Sequence, residues 1–235
     1  MVDDLLFCLV GGDGIYINKN SDGVYQINCK IRDSTFSFVQ QILPHCENFS
    51  IINSYSTGRY SFEYGRIAHA LGAALRTIMN EYRENISKFE NSRNLTPSLL
   101  HGNIQGYSEL LQQLADLMLA IEDKKGCQIL SEIHSRLSVF RGSPKVKKLF
   151  SYLFRCSSVP LVEFIEQCIY HGNIDDPYSE FFIQVNDKIT RKMLKNDYEN
   201  QYWEKKYVLI DNFIPRFMSS SSIRAILNAA KSAAV

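Results

Sequence analysis

The sequence predicts an all-α protein: an elongated helical bundle of about ten helices, with at most a small β-hairpin near the N-terminus. Three observations carry this. Glycine and proline are scarce, 12 and 6 of 235 residues, below their usual joint share of about 12%. Residues 63–90 hold the strongest helical period, with Ile67, Leu71, Leu75, Ile78, Tyr82, Ile86 and Phe89 three or four apart. A cap-then-proline signature recurs at Thr96-Pro97 and Ser143-Pro144, and Val159-Pro160 opens a further helix.

In order along the chain, the first helix spans about residues 3–10, with Leu5, Leu6 and Leu9 inward, and Gly11-Gly12-Asp13-Gly14 ends it. Ile15–Asn18 and Val24–Cys29 read as a hairpin around Asn20-Ser21-Asp22-Gly23. Ser34 or Thr35 caps a helix that stops before Pro44, and a separate helix covers about 45–54. The long helix over 63–90 comes next. From Pro97, apolar positions continue to a stop at Lys124-Lys125-Gly126. Ile129, Leu130, Ile133 and Leu137 mark the next helix, and Val146, Leu149, Phe150, Leu153 and Phe154 the one after. The helix opened by Val159-Pro160 carries Val162, Phe164, Ile165 and Ile169 and closes at His171-Gly172. Asp176-Pro177 is a turn, and Phe181–Val185 is an apolar run of uncertain type. Residues 186–206 are polar, a mobile loop or a solvated helix. Pro215 breaks the segment after Tyr207, and Ser219–Ser222 caps a last helix with Ile223, Ile226 and Leu227 apolar. These elements read as one continuous helical domain over 1–235.

A formal charge of +1 gives no global field for nucleic acid or an anionic membrane. The six cysteines, at 8, 29, 46, 127, 156 and 168, form no CxxC and match no zinc spacing. They read as small buried hydrophobes in a reducing compartment. The N-terminus lacks the basic start and long apolar core of a signal peptide. No apolar stretch is long enough for a transmembrane helix. The three glycosylation sequons, at Asn48, Asn85 and Asn94, read as coincidental.

Chemistry-bearing patterns are weak. Gly11–Gly14 follows a helix rather than a strand, and the third place of a GxGxxG read from Gly12 holds Ile17, so the loop reads as a helix stop. A nucleotide-dependent enzyme using that loop is the disfavoured alternative. His45, His69, His101, His134 and His171 are unpaired at helical spacing, and HExxH is absent. Asp175-Asp176 with Glu180 could do acid–base work but reads as a cluster that caps a helix or lines a solvated turn. Arg141, Lys145, Lys147 and Lys148 read as a solvated helix start. No nucleophile motif occurs. The sequence therefore assigns no catalytic, cofactor-binding or metal residue, calls for no cofactor, and leaves the partner-binding residues unknown.

Four stretches together carry a resemblance. They are Asp4–Ile17 (DLLFCLVGGDGIYI), Ser61–Glu90, Pro160–Ile183 (PLVEFIEQCIYHGNIDDPYSEFFI) and Tyr202–Met218. Their order and spacing resemble the N-terminal Grip domain of the gamma-tubulin complex components. The Ser61–Glu90 stretch and Asp176–Phe181 bring the likeness nearest to the component-two branch. Two positions depart from the pattern: Cys168 stands where the family usually has tryptophan, and Ala230 where it has glycine.

The resemblance implies a helical scaffold without catalysis or cofactor. It implies lateral contacts with other gamma-tubulin complex components, especially component three, for microtubule nucleation. It also implies residence in the cytoplasm and cytoskeleton, at a microtubule-organising centre such as a centrosome or spindle pole. The C-terminal gamma-tubulin-binding domain of the family is expected to be absent from these residues, so gamma-tubulin is reached only indirectly. A natural short form that restrains assembly is the alternative. Neither nucleic acid nor membrane is expected as a partner.

Overall fold

A computed structural model describes residues 2–20, 23–28, 33–59, 61–90, 95–140, 142–172, 174–186, 188–189 and 201–233. Among them lie nine α-helices. They are α1 (Val2–Leu9), α2 (Asp33–Gly58), α3 (Arg66–Ser87), α4 (Pro97–Ala120), α5 (Cys127–Val139), α6 (Pro144–Ser157), α7 (Val159–His171), α8 (Gln201–Lys206) and α9 (Ser220–Ala233). Four three-residue strands complete the set: β1 (Ile17–Lys19), β2 (Tyr25–Ile27), β3 (Ile183–Val185) and β4 (Tyr207–Leu209). The all-α class holds. The described residues form two compact units, one of Met1–Tyr60, Gly72–Glu122 and Gly142–Leu149, the other of Ser61–Leu71, Asp123–Arg141 and Phe150–Val235.

In the first unit, α2 packs along α4. The two helices expected on either side of Pro44 are one, because the buried set Val39, Ile42, Cys46, Phe49 and Ile52 keeps its helical spacing straight through the proline. Pro44 itself lies on the exposed side. It removes an internal hydrogen bond at a cost of about 3 kcal/mol, and burial of that apolar face against α4 outweighs it. Ser34, a predicted cap, falls inside the helix, and its side chain is outside the described ones. Thr96 does cap α4, its hydroxyl accepting the Leu99 N–H at 3.3 Å with Pro97 in the first turn. Tyr82 of α3 packs its ring against Phe49 at 5.5 Å and edge-on to Tyr107 at 5.4 Å. β1 and β2 form the anticipated hairpin, Ile17 opposite Ile27, with Gly23 at φ 84° in its turn.

In the second unit, α7 packs on α9. Phe181 contacts Phe164 at 5.6 Å and Phe182 at 4.3 Å, and all three rings are buried. α7 ends at Gly172, left-handed at φ 60°, whose carbonyl accepts the Tyr207 hydroxyl at 2.5 Å. The uncertain run at 181–185 contains β3, which pairs antiparallel with β4 (Ile183 opposite Leu209, Val185 opposite Tyr207). This ladder adds to the expected single hairpin, because its partner lies some twenty residues away and leaves no local turn signal. The Ser219 hydroxyl caps α9 by accepting the Ser222 N–H at 3.1 Å.

The helix expected from residue 63 starts instead at Arg66, after a 3-10 turn over Phe62–Tyr64 and Gly65 at φ 100°. Its cause is a side chain far away in sequence.

Candidate functional site

The Gly11–Gly14 loop folds back on α1. A Cβ at Gly12 would strike the Phe7 ring, and one at Gly14 would strike the Asp4 carboxylate. That carboxylate already accepts the Tyr16 N–H at 2.6 Å, and the Gly12 carbonyl accepts the Tyr25 hydroxyl at 3.2 Å. An anion at these amides would face a resident carboxylate, so the loop is a helix stop and not a phosphate cradle.

The acidic cluster is taken apart by the fold. Asp175 is exposed. Asp176 Oδ2 accepts the N–H groups of Glu180 and Phe181, both at 2.8 Å, closing the Asp-Pro turn. Glu180 is 1% exposed and turns to the N-terminus of α3. Its carboxylate accepts the N–H of Arg66 at 2.5 Å and of Ile67 at 3.1 Å. It thus fills the place of an N-cap residue from 114 positions away. Gly65 leaves it room, since a Cβ there would collide with the carboxyl group. Gly126, at φ 50° and ψ −129°, makes the same room for the Glu180 backbone, whose carbonyl accepts the Cys127 N–H at 3.3 Å. Burial pushes the Glu180 carboxyl up to about 7, against the pull of the two N–H groups and of Arg66. Every bond it makes is structural.

Among the described residues no group of three or more His, Cys, Asp or Glu is placed to hold a metal ion. Cys8, Cys46, Cys127 and Cys168 are buried free thiols, and Cys156 is half-buried; Cys29 lies outside the described residues. Burial pushes the Cys8 and Cys168 thiols up to about 11, which removes thiolate character. His134 packs between Phe154 at 5.7 Å and Phe217 at 5.2 Å. His45 is buried with neither ring nitrogen hydrogen-bonded. His69 and His101 are half-buried and His171 is exposed. Lys145, Lys147 and Lys148 are exposed on α6; Arg141 lies outside the described residues. No helix of the described residues is long and apolar enough to cross a membrane.

The feature that the helical pattern concealed is the outer face of α7. Pro160, Leu161, Phe164 and Cys168 bury one side. Val159, Val162, Ile169 and Tyr170 remain 51%, 50%, 37% and 75% exposed on the other. At 100° per residue, these four and Glu166 share an arc of about 100°. Val162 and Ile169, which the sequence grouped with the core residue Phe164, point to solvent instead. The flank is fixed by Glu163, which pairs with Arg66, whose guanidinium sits over the Phe164 ring at 5.1 Å. The stripe is interrupted by the exposed Glu166, and apolar side chains grouped in this way on an outward helix face suit a protein-contact surface.

The same unit also holds a groove of about 690 Å³ between α5, the segment Asp211–Met218 and the first turns of α9.

Residues 2–235 match the family described as Gamma tubulin complex component N-terminal. The chain is 31% identical over 229 residues to Gamma-tubulin complex component 2 of Mus musculus, covering 93% of this chain and 25% of that protein. It is 28% identical over 231 residues to Gamma-tubulin complex component 2 of Arabidopsis thaliana, covering 94% and 34%. It is 24% identical over 274 residues to Spindle pole body component alp4 of Schizosaccharomyces pombe, covering 92% and 35%. It thus spans between a quarter and about a third of the length of these relatives. The match over almost all of its residues means that this chain belongs to the gamma-tubulin complex component family, in its N-terminal part.

Proposed function

We propose that this chain is a non-catalytic scaffold module of a gamma-tubulin complex. It makes lateral contacts with other components, above all with the N-terminal domain of a component-three-like protein. Through them it helps to arrange gamma-tubulin for microtubule nucleation at a centrosome or spindle pole. The observation that carries this reading is the outward apolar stripe of α7, on a chain belonging to that family. Val162 and Tyr170 gain nothing for the isolated fold by their exposure, and a neighbouring protein surface would remove them from water. The relative named for the spindle pole body supports the location.

The test is a light-scattering and sizing titration of the chain with a component-three N-terminal domain. Association with a Kd at or below about tens of micromolar is the expected outcome. A mixture that stays monomeric at ten times that concentration overturns the reading. Robust capture of gamma-tubulin by this chain alone would contradict the indirect role.

A further inference from the structure

We propose that the groove between α5, the segment Asp211–Met218 and α9 binds an acidic peptide segment of a partner protein, one that interleaves carboxylates with apolar side chains. The groove is pre-formed. Gln128 Nε2 donates to the Asn212 carbonyl at 3.2 Å, and the Arg216 N–H donates to Ser131 Oγ at 3.2 Å. Both bonds tie the segment to α5 without any ligand. Its volume, about 690 Å³, falls within the usual range of binding clefts.

The lining sets the chemistry. Of the lining residues, Pro215 and Ile223 are buried and Ile214 and Met218 half-buried, which suits apolar side chains. The lining also carries Arg216 and Arg224, both exposed and neither in an ion pair among the described residues. The third cation, Lys124, is already held by Glu132 at 2.7 Å, and Glu132 also takes Arg136 at 3.3 Å. Glu132 is therefore neutralised within its own network, and the lining keeps two guanidiniums against one carboxylate, Asp211, that is in no ion pair among the described residues. Unpaired guanidiniums favour carboxylates, which they hold through two parallel hydrogen bonds. Nucleic acid fits less well. Single strands need aromatic platforms, and the nearby Phe217 is turned away to pack on His134 and Phe154 at 5.2 and 5.1 Å. No residue of α7 lines the groove, so this site is separate from the stripe assigned to lateral pairing.

The experiment selects peptides from a random twelve-residue display library on the immobilised full chain. The enriched sequences are then synthesised and measured by fluorescence anisotropy. Expected are peptides with net negative charge and interspersed Leu, Ile or Phe, binding at about tens of micromolar. Their affinity falls at least tenfold in R216E/R224E and severalfold between 50 and 300 mM salt. R216Q/R224Q weakens binding less than the charge reversal, and V162E on α7 leaves it unchanged. Unaltered thermal midpoints of the variants show that the fold is kept. Enrichment of uncharged or basic peptides overturns the proposal, as does an affinity indifferent to R216E/R224E, or no enrichment at all. So does tighter binding of a twenty-nucleotide single-stranded RNA or of phosphatidylserine vesicles to the same arginines.

Discussion

The Glu180 carboxyl group occupies the space that a Cβ on Gly65 would fill. The glycine and the glutamate define each other: Gly65, at φ 100°, opens the first turn of α3, and Glu180 enters it to take the Arg66 and Ile67 N–H groups. Gly65→Ala is therefore expected to destabilise the fold by at least about 2 kcal/mol, from backbone strain and from displacement of the cap. Gly126→Ala should cost more, because its Cβ meets the Glu180 backbone, which cannot swing away. Gly102, inside α4 with open space around it, is the control, and Gly102→Ala should stabilise by about 0.5–1 kcal/mol. Urea unfolding midpoints check all three, and equal effects at the three glycines would refute the account.

The same carboxyl gives stability a pH dependence of known sign. Its folded value is raised to about 7 from an ordinary 4.5, first by burial and then by Asp176, while Arg66 and the two N–H groups pull it down. Beside it are Cys127, whose thiol burial keeps neutral, and Arg66, which pairs with Glu163. Between these values the folded state holds a proton that the unfolded chain has lost. Stability from this group is thus fully present below about pH 4.5 and declines as the pH rises through about 7, by on the order of 3 kcal/mol. Glu180→Gln should flatten that slope. Urea midpoints at pH 5, 6, 7 and 8 measure it, and a variant with the wild-type slope would show that Glu180 does not titrate there.

This cap explains what the sequence could and could not reveal. Helix ends set by neighbours were legible: Thr96-Pro97, His171-Gly172 and the Ser219–Ser222 run act within a turn of where they stand. The start of α3 was not, because its cap comes from Glu180, 114 residues on, and no local pattern encodes that distance. Pro44 misled for a related reason. Its local penalty is real, but the apolar spacing of Val39, Ile42, Cys46 and Phe49 across it reports the packing that prevails. On α7, apolar residues on both sides of the helix gave Val162 the same appearance as Phe164, since composition does not say which side meets water. The outward stripe therefore emerged only from the fold.

His45 should confer acid sensitivity of the opposite sign. It is 6% exposed, neither ring nitrogen is hydrogen-bonded, and burial lowers its pKa, helped by nearby His101, with the backbone at Gln41 and Ile42 pulling the other way. The unfolded chain regains an ordinary value of about 6.5, so below that pH it binds a proton that the folded state refuses. The contribution is complete above pH 6.5 and is lost as the pH falls. His45→Leu removes the titration and two unsatisfied polar atoms, so the variant should be more stable than wild type at both pH 5 and pH 8, and by a larger margin at pH 5. The Glu180 and His45 effects offset each other in the wild type, and single variants separate them. An advantage of His45→Leu that does not grow on acidification would sink this prediction.

Pro44 offers a stabilising substitution. It lies on the exposed side of α2, yet it breaks one internal hydrogen bond of a helix 26 residues long. Pro44→Ala restores that bond and should raise stability by about 1–3 kcal/mol, read as a higher thermal midpoint. A lowered midpoint would mean that the packing of α2 on α4 depends on the proline's distortion of the helix.

The α7 stripe makes the sharpest claim about function, because its two roles separate by face. Phe164→Ala removes a buried ring and should cost about 3–5 kcal/mol whatever the chain binds. Val162→Glu and Tyr170→Glu alter exposed side chains and should change stability by no more than about 0.5 kcal/mol. They nevertheless place a charge where a partner's apolar surface must close, without a hydrogen-bonding group provided for it. Each should weaken association with a component-three N-terminal domain at least tenfold, and the pair together should abolish it in a sizing titration. Lys145→Glu, at an exposed position that starts α6, serves as the charge-changing control and should leave the affinity within about twofold. Full binding by the Val162→Glu/Tyr170→Glu double variant would move the lateral contact to another face of the molecule, while folding measured alongside keeps that outcome distinct from simple loss of structure.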